Sequence, residues 1–237
     1  MKTVLYTIIS FLLVVHSVPA AIYSAGHGDI GLGAGDELEL HLHLHAGAIV
    51  DGAALVDDAE FAPNAAVILV PNSAMFLRPA GAAWDLIGNN AGGNTWVLPS
   101  SKSTATAQGT PFLGAGAEEV NAGVFANNQL TLTLTGVSGP GHFSLYTTSL
   151  GVPTFLMSSF DGISSADSTT LNVGSHRHLN FAFTSPGDYE ITFEASGILA
   201  DTQQTVTDQA TFTFHVVPEP ATLSLLALGL FGMRKRK

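Results

Sequence analysis

Along most of the chain, apolar and polar residues alternate in short runs, and glycine, proline, asparagine and serine punctuate them. The clearest run is Glu37-Leu38-Glu39-Leu40-His41-Leu42-His43-Leu44-His45, an unbroken period of two. It predicts a half-buried strand with the leucines on one face and Glu37, Glu39, His41, His43 and His45 on the other. Comparable runs predict strands at 66–70, 95–98, 129–136, 142–147, 154–157, 169–173, 177–183, 189–195 and 210–217. Turn signals separate them: Pro71-Asn72, Ser138-Gly139-Pro140-Gly141, Asp161-Gly162 and Pro186-Gly187-Asp188. No long segment holds an apolar period of 3.6, so the fold class is all-β. About ten strands at mixed spacing suit an antiparallel, immunoglobulin-like β-sandwich. The spacing leaves room for two packed halves meeting near Gly136. Residues 88–108 are polar and glycine-rich apart from 95–99, which predicts long loops.

The two ends break this pattern. Lys2 precedes a largely apolar run from Val4 to Val15, and Val18-Pro19-Ala20 supplies small residues for a cut after Ala20. Residues 1–20 therefore read as a secretory signal, too short for a spanning helix. At the other end Val217-Pro218-Glu219-Pro220 precedes an apolar run, 221–233, and then Arg234-Lys235-Arg236-Lys237. Thirteen helical residues reach roughly 20 Å, short of a hydrocarbon core of about 30 Å. The basic end would stay cytoplasmic. Motif, short helix and basic end in this order resemble a PEP-CTERM sorting signal over 218–237. The resemblance implies an exosortase-type enzyme as partner and a transient inner-membrane tether through 221–233. It further implies release to the cell surface or extracellular matrix of a Gram-negative bacterium. Proteins of many functions carry such tails, so the tail gives a destination and not an activity. The domain proper is then 22–217.

Charge narrows the function of that domain. Within 22–217 three cationic residues, Arg78, Lys102 and Arg177, face eighteen acids, a net charge of −15 with histidine neutral. So acidic a body excludes nucleic-acid binding through phosphate neutralisation and favours cations. The 237 residues include no cysteine, which removes disulfides, thiolate zinc sites and cysteine nucleophiles.

Histidine carries the chemistry. Alternate residues on one strand face sit about 6.5–7 Å apart, close enough for two imidazoles to converge on one ion. His41 and His43 have this spacing, and so do His176 and His178. Gly26-His27-Gly28-Asp29 sets an imidazole beside a carboxylate in the same way. Neutral imidazoles with a carboxylate suit a divalent first-row ion. For His41, His43 and His45 alone, a solvated polar strand face is an equal explanation. His142 can simply end a turn, and His215, alternating with Phe212 and Phe214, reads as outward-facing.

Several phrases together resemble the choice-of-anchor M domain family, related to an actinobacterial surface-anchored domain. They are Gly26-His27-Gly28-Asp29-Ile30, Trp96-Val97-Leu98-Pro99, Phe112-Leu113-Gly114, Leu134-Thr135-Gly136-Val137-Ser138-Gly139-Pro140-Gly141, and Ser175-His176-Arg177-His178-Leu179-Asn180-Phe181-Ala182-Phe183-Thr184 with Pro186-Gly187 and Tyr189. Phe181 stands where that family usually has tryptophan. The resemblance implies a surface protein without established activity and, from the company such domains keep, a metal ABC transporter as a partner. By matching position it puts His27, Asp29, His176 and His178 first as metal ligands, with His41 and His43 next. Zinc or manganese are the expected ions.

Two functions follow for comparison: a non-enzymatic surface module binding a divalent metal, or a structural or adhesive matrix protein, associated with exopolysaccharide, that has no metal. Catalysis has little support, because no His-Glu-x-x-His helix or Gly-x-Ser-x-Gly elbow occurs. Glu118 and Glu119 are adjacent, which on a strand would send them to opposite faces. Thr131, Thr133 and Thr135 alternate on one strand as in ice-binding surfaces, but β-propensity accounts for them. The metal reading makes a geometric demand: the His27 segment, the 37–45 strand and the His176–His178 strand must converge.

Overall fold

The computed structural model describes residues 20–34 and 37–218. In chain order the strands are β1 Ala21–Ala34, β2 Leu38–Leu44, β3 Ile49–Val50, β4 Ala53–Ala54, β5 Ala59–Phe61, β6 Ala66–Val70, β7 Met75–Leu77, β8 Asn94–Leu98 and β9 Pro111–Gly116. They continue with β10 Gln129–Ser138, β11 Phe143–Ser149, β12 Val152–Ser158, β13 Ser168–Asn172, β14 His176–His178, β15 Asn180–Phe183, β16 Gly187–Ile198 and β17 Thr205–Val216. The fold is an all-β sandwich. One sheet runs β13-β10-β16-β17-β6-β1-β2-β5, with β9 and then β14 on the other edge of β1, and a second sheet runs β12-β11-β15-β8-β7.

Burial of alternate side chains holds the layers together. Leu38, Leu40, Leu42 and Leu44 enter the core from β2, as the alternation requires. Phe143, Phe181 and Phe183 of the second sheet meet Phe193, Phe214 and Tyr189 of the first, with ring centroids 5.0–6.2 Å apart. Each fully buried side chain of this size contributes on the order of 1.5–3 kcal/mol. Phe181 is fully buried in this core.

The structure departs from the sequence reading in four places. Three ladders are parallel, β1 with β6, β1 with β9 and β17 with β6; the chain between each pair is long enough for a crossover. Gly136 is no seam between halves, because β10 runs through it with only a register shift, and β6 and β17 from the two halves pair directly. The single strand expected at 177–183 is two strands in two sheets: β14 pairs with β9, β15 pairs with β8 and β11, and buried Leu179 lies at the crossing. Finally, 88–108 holds the expected strand, β8, but also a short helix that was not expected, α1 Lys102–Gln108, capped by the Ser101 hydroxyl and closed by left-handed Gly109.

β1 was not foreseen, and it organises the functional end. Its first residues pair with β6 and β3. At Gly26 the backbone turns to φ +91°, and an added Cβ would meet the Ala48 backbone at 2.6 Å. Beyond that kink both partners change, to β9 on one edge and β2 on the other. Among the described residues no helix is long and apolar enough to cross a membrane. The expected signal and sorting helices lie outside the described residues apart from Ala20 and Pro218.

Candidate metal centre

Past the kink, five strands lie in the order β5-β2-β1-β9-β14, and their register sets out the site row by row. Glu60, His43, Asp29, Gly114 and His178 form one row across the sheet. His41, Gly31, Gly116 and His176 form the next. On the opposite side of the first row His27 pairs with Phe112, and the His45 N–H donates to the His27 carbonyl at 3.1 Å. Side chains of one row share a face, so histidines from three separate segments arrive on the same side of the sheet. The three segments that had to converge do so.

Glycines make the convergence possible. A Cβ on Gly114 would overlap Asp29 Oδ1 and come within 3.1 Å of His178 Nδ1. A Cβ on Gly116 would come 2.9 Å from the His176 Cβ, and one on Gly31 would overlap the His41 ring. The middle of the sheet is bare so that side chains from both edges can lie across it.

The first group is centred on His27. Its ring stacks on His45 at 3.9 Å and lies 5.2 Å from His176 and 4.8 Å from His178 between centroids. Ligand atoms of His27, His176 and His178 fall within 4.8 Å of one another. His178 is held by stacking on Phe112 at 3.5 Å. Asp29 is buried beneath them. Its Oδ2 lies 3.3 Å from the Nε2 atoms of both His27 and His45, while its Oδ1 has no hydrogen-bond partner in the protein. His27 Nε2 and His178 Nδ1 are buried and likewise make no hydrogen bond.

The second group lies over β2. His41, His43, Glu60 and Glu119 bring ligand atoms within 4.8 Å of one another, and His43, His45 and Asp58 form an overlapping trio. The turn after β9 supplies Glu118 and Glu119. His176 Nδ1 lies 2.5 Å from Glu118 Oε1, and His43 Nδ1 lies 2.6 Å from Glu119 Oε1. The strand argument against this acidic pair therefore fails for a local reason: both residues sit in a turn past the end of β9, where alternation does not apply. His45, Asp58 and Glu60 also escaped the predicted ligand set. His45 was visible on the polar face of the predicted 37–45 strand, whereas only the pairing of β5 with β2 brings up Glu60.

Electrostatics favour a cation here. Five carboxylates, Asp29, Asp58, Glu60, Glu118 and Glu119, border the histidines, and among the described residues none ion-pairs with lysine or arginine. The Arg177 guanidinium donates to the Thr169 hydroxyl instead, and Arg78 pairs with Asp85. Burial alone would raise the Asp29 carboxyl, but the close approach and charge of His27, and the charges of His176 and His178, outweigh it and hold the carboxyl below its ordinary range. Burial pushes His178 down to about 4 against the opposing pull of Asp29, which keeps the imidazole neutral and free to act as a ligand. His142 and His215 lie elsewhere. His142 packs against Phe160, and His215 pairs with Asp188 at 2.5 Å on an exposed face of the sheet.

The donor set fits a divalent ion on two structural counts: buried ligand atoms without partners, which are costly in a protein interior, and glycine cradles that leave them room. Residues 216–237 match the family described as the PEP-CTERM protein-sorting motif. That signal marks an exported, surface-sorted protein and implies processing by an exosortase-type enzyme. No curated protein and no solved structure matches the chain.

Proposed function

We propose that this protein is a non-enzymatic surface module that binds a divalent metal, zinc or manganese, through its histidine face. The observation that carries this reading is the meeting of His27, His176 and His178 within 4.8 Å, above a buried Asp29. Three imidazoles would supply three corners of a tetrahedral shell, with zinc–nitrogen distances of about 2.0–2.1 Å, and Asp29 Oδ2 lies 3.3 Å from His27 Nε2 beside them. The reading is binding and not hydrolysis because the sequence carries no His-Glu-x-x-His or Gly-x-Ser-x-Gly motif. His41 and His43 belong to the same face but to its other end. A choice-of-anchor M type domain, a Gram-negative host, an inner-membrane tether through 221–233 and a metal ABC transporter as recipient are parts of the same proposal. They rest on the sequence phrases and the tail.

A matrix or adhesion module associated with exopolysaccharide is the competing reading. The His176–Glu118 and His43–Glu119 hydrogen bonds favour it, because they tie the turn after β9 to two strands without an ion. The test is elemental analysis of the full chain, stripped with chelator and dialysed against trace Zn²⁺, Mn²⁺, Fe²⁺, Ni²⁺ and Cu²⁺. A His176→Ala/His178→Ala variant is treated alongside. Stoichiometric metal in the wild type, reduced in the variant, supports metal binding; background metal in both leaves the matrix module.

A further inference from the structure

We propose that the histidine face holds two separate cation positions, the second built from His41, His43, Glu60 and Glu119. This rests on the metal-binding reading above and divides it. Among the described residues five groups of potential ligands occur on this face, and no three of them are free of shared residues. His27 with His176 and His178 is one group, and His41, His43, Glu60 and Glu119 is another that shares none of its members. These two groups can each take an ion without competing for a ligand.

The rows of the sheet keep the two positions apart. His41 and His176 are at opposite ends of one row, with Gly31 and Gly116 between them. Three strand spacings of about 4.8 Å separate their backbones. Each position has its own cradle: Gly114 makes room for Asp29 and His178, and Gly31 makes room for His41. Above Gly31 and Gly116 is a cleft lined also by His41, His43 and Glu119.

His41 itself points to a ligand. Its side chain is only 7% exposed, yet neither ring nitrogen has a hydrogen-bond partner. Its Nε2 comes 3.2 Å from Glu119 Oε2 without the alignment of a hydrogen bond. The other oxygen of the same carboxylate is on His43. A buried imidazole with neither nitrogen hydrogen-bonded is an uncommon cost in a folded protein, and a cation held between His41, His43 and Glu119 would remove it. With two imidazoles and two carboxylates this position is richer in oxygen than the first. It therefore accepts harder ions such as Mn²⁺ more readily than a three-imidazole set does.

The experiment is calorimetric titration of the stripped full chain with Zn²⁺ and separately with Mn²⁺, with bound metal counted by elemental analysis. The wild type should bind two ions per chain. Glu60→Gln/Glu119→Gln, which alters only exposed carboxylates, should bind one, and His176→Ala/His178→Ala should also bind one. Circular dichroism and melting establish that each variant is folded. One ion in the wild type, unchanged by the double glutamine variant, overturns the second position and leaves the metal reading intact. Loss of both ions in the folded glutamine variant also overturns it, since the positions would not be separate. No ion in the wild type overturns this inference and the reading it rests on together.

Discussion

Gly31 pairs directly with His41 across the β1–β2 ladder, and the His41 ring lies where a Gly31 Cβ would be. A buried imidazole thus occupies the space of an absent methyl group, and the glycine belongs to the site as much as the histidine does. Gly31→Ala should displace His41, with overpacking costing about 1–3 kcal/mol. Urea unfolding measures that cost. Metal counting should show loss at the His41 end while His27, His176 and His178 still bind.

Gly114→Ala makes the reciprocal test. The added methyl would meet Asp29 Oδ1, the Arg177 carbonyl at 2.8 Å and His178 Nδ1 at 3.1 Å. Metal bound by the His27 group should be lost, while the His41 group keeps its ion. Equal retention of both in a folded variant would remove the cradle argument.

The metal-free protein should become less stable on acidification between pH 6.5 and about 4. Burial lowers His178 from 6.5 to about 4. In that window the unfolded chain binds a proton that the native state does not, so stability rises with pH. Asp29 adds to the loss lower down, because its depressed carboxyl stabilises the native state until the pH falls through its folded value. Chelator-treated protein unfolded in urea at pH 7, 6, 5 and 4 should show the slope, and His178→Gln should flatten it.

Metal should stabilise the fold by mass action. At a free ion concentration about 100 times the dissociation constant, unfolding should become harder by about 2.7 kcal/mol. Melting with Zn²⁺ and after EDTA measures this, and His27→Ala should shrink the difference. His215→Ala is the control. Its partner Asp188 is largely exposed, and an exposed pair is worth about 0–1 kcal/mol, so the metal response should not change.

The strand at 37–45 was legible because its period of two is unbroken, and its leucines are buried as that period demands. The histidine pairs were legible for the same reason. β1 and β9 were not, because Gly26-His27-Gly28-Asp29-Ile30-Gly31-Leu32-Gly33 and Gly114-Ala115-Gly116 have weak strand propensity. Pairing on both edges makes them strands. Their glycines carried a signal that single-strand reasoning passes over: a bare position matters only when the neighbouring strand is known. Glu118 and Glu119 were misjudged by applying strand geometry to a turn. Asp58 and Glu60 are brought to the face by long-range pairing, which no local spacing encodes.

The most direct measurement is X-ray absorption at the zinc edge on the zinc-loaded full chain. The account predicts a nitrogen- and oxygen-ligated ion with first-shell distances of about 2.0–2.1 Å and the outer-shell scattering of imidazole. The imidazole signal should fall in His176→Ala/His178→Ala. Zinc at background level, or zinc coordinated by oxygen alone with no imidazole signature, would contradict it.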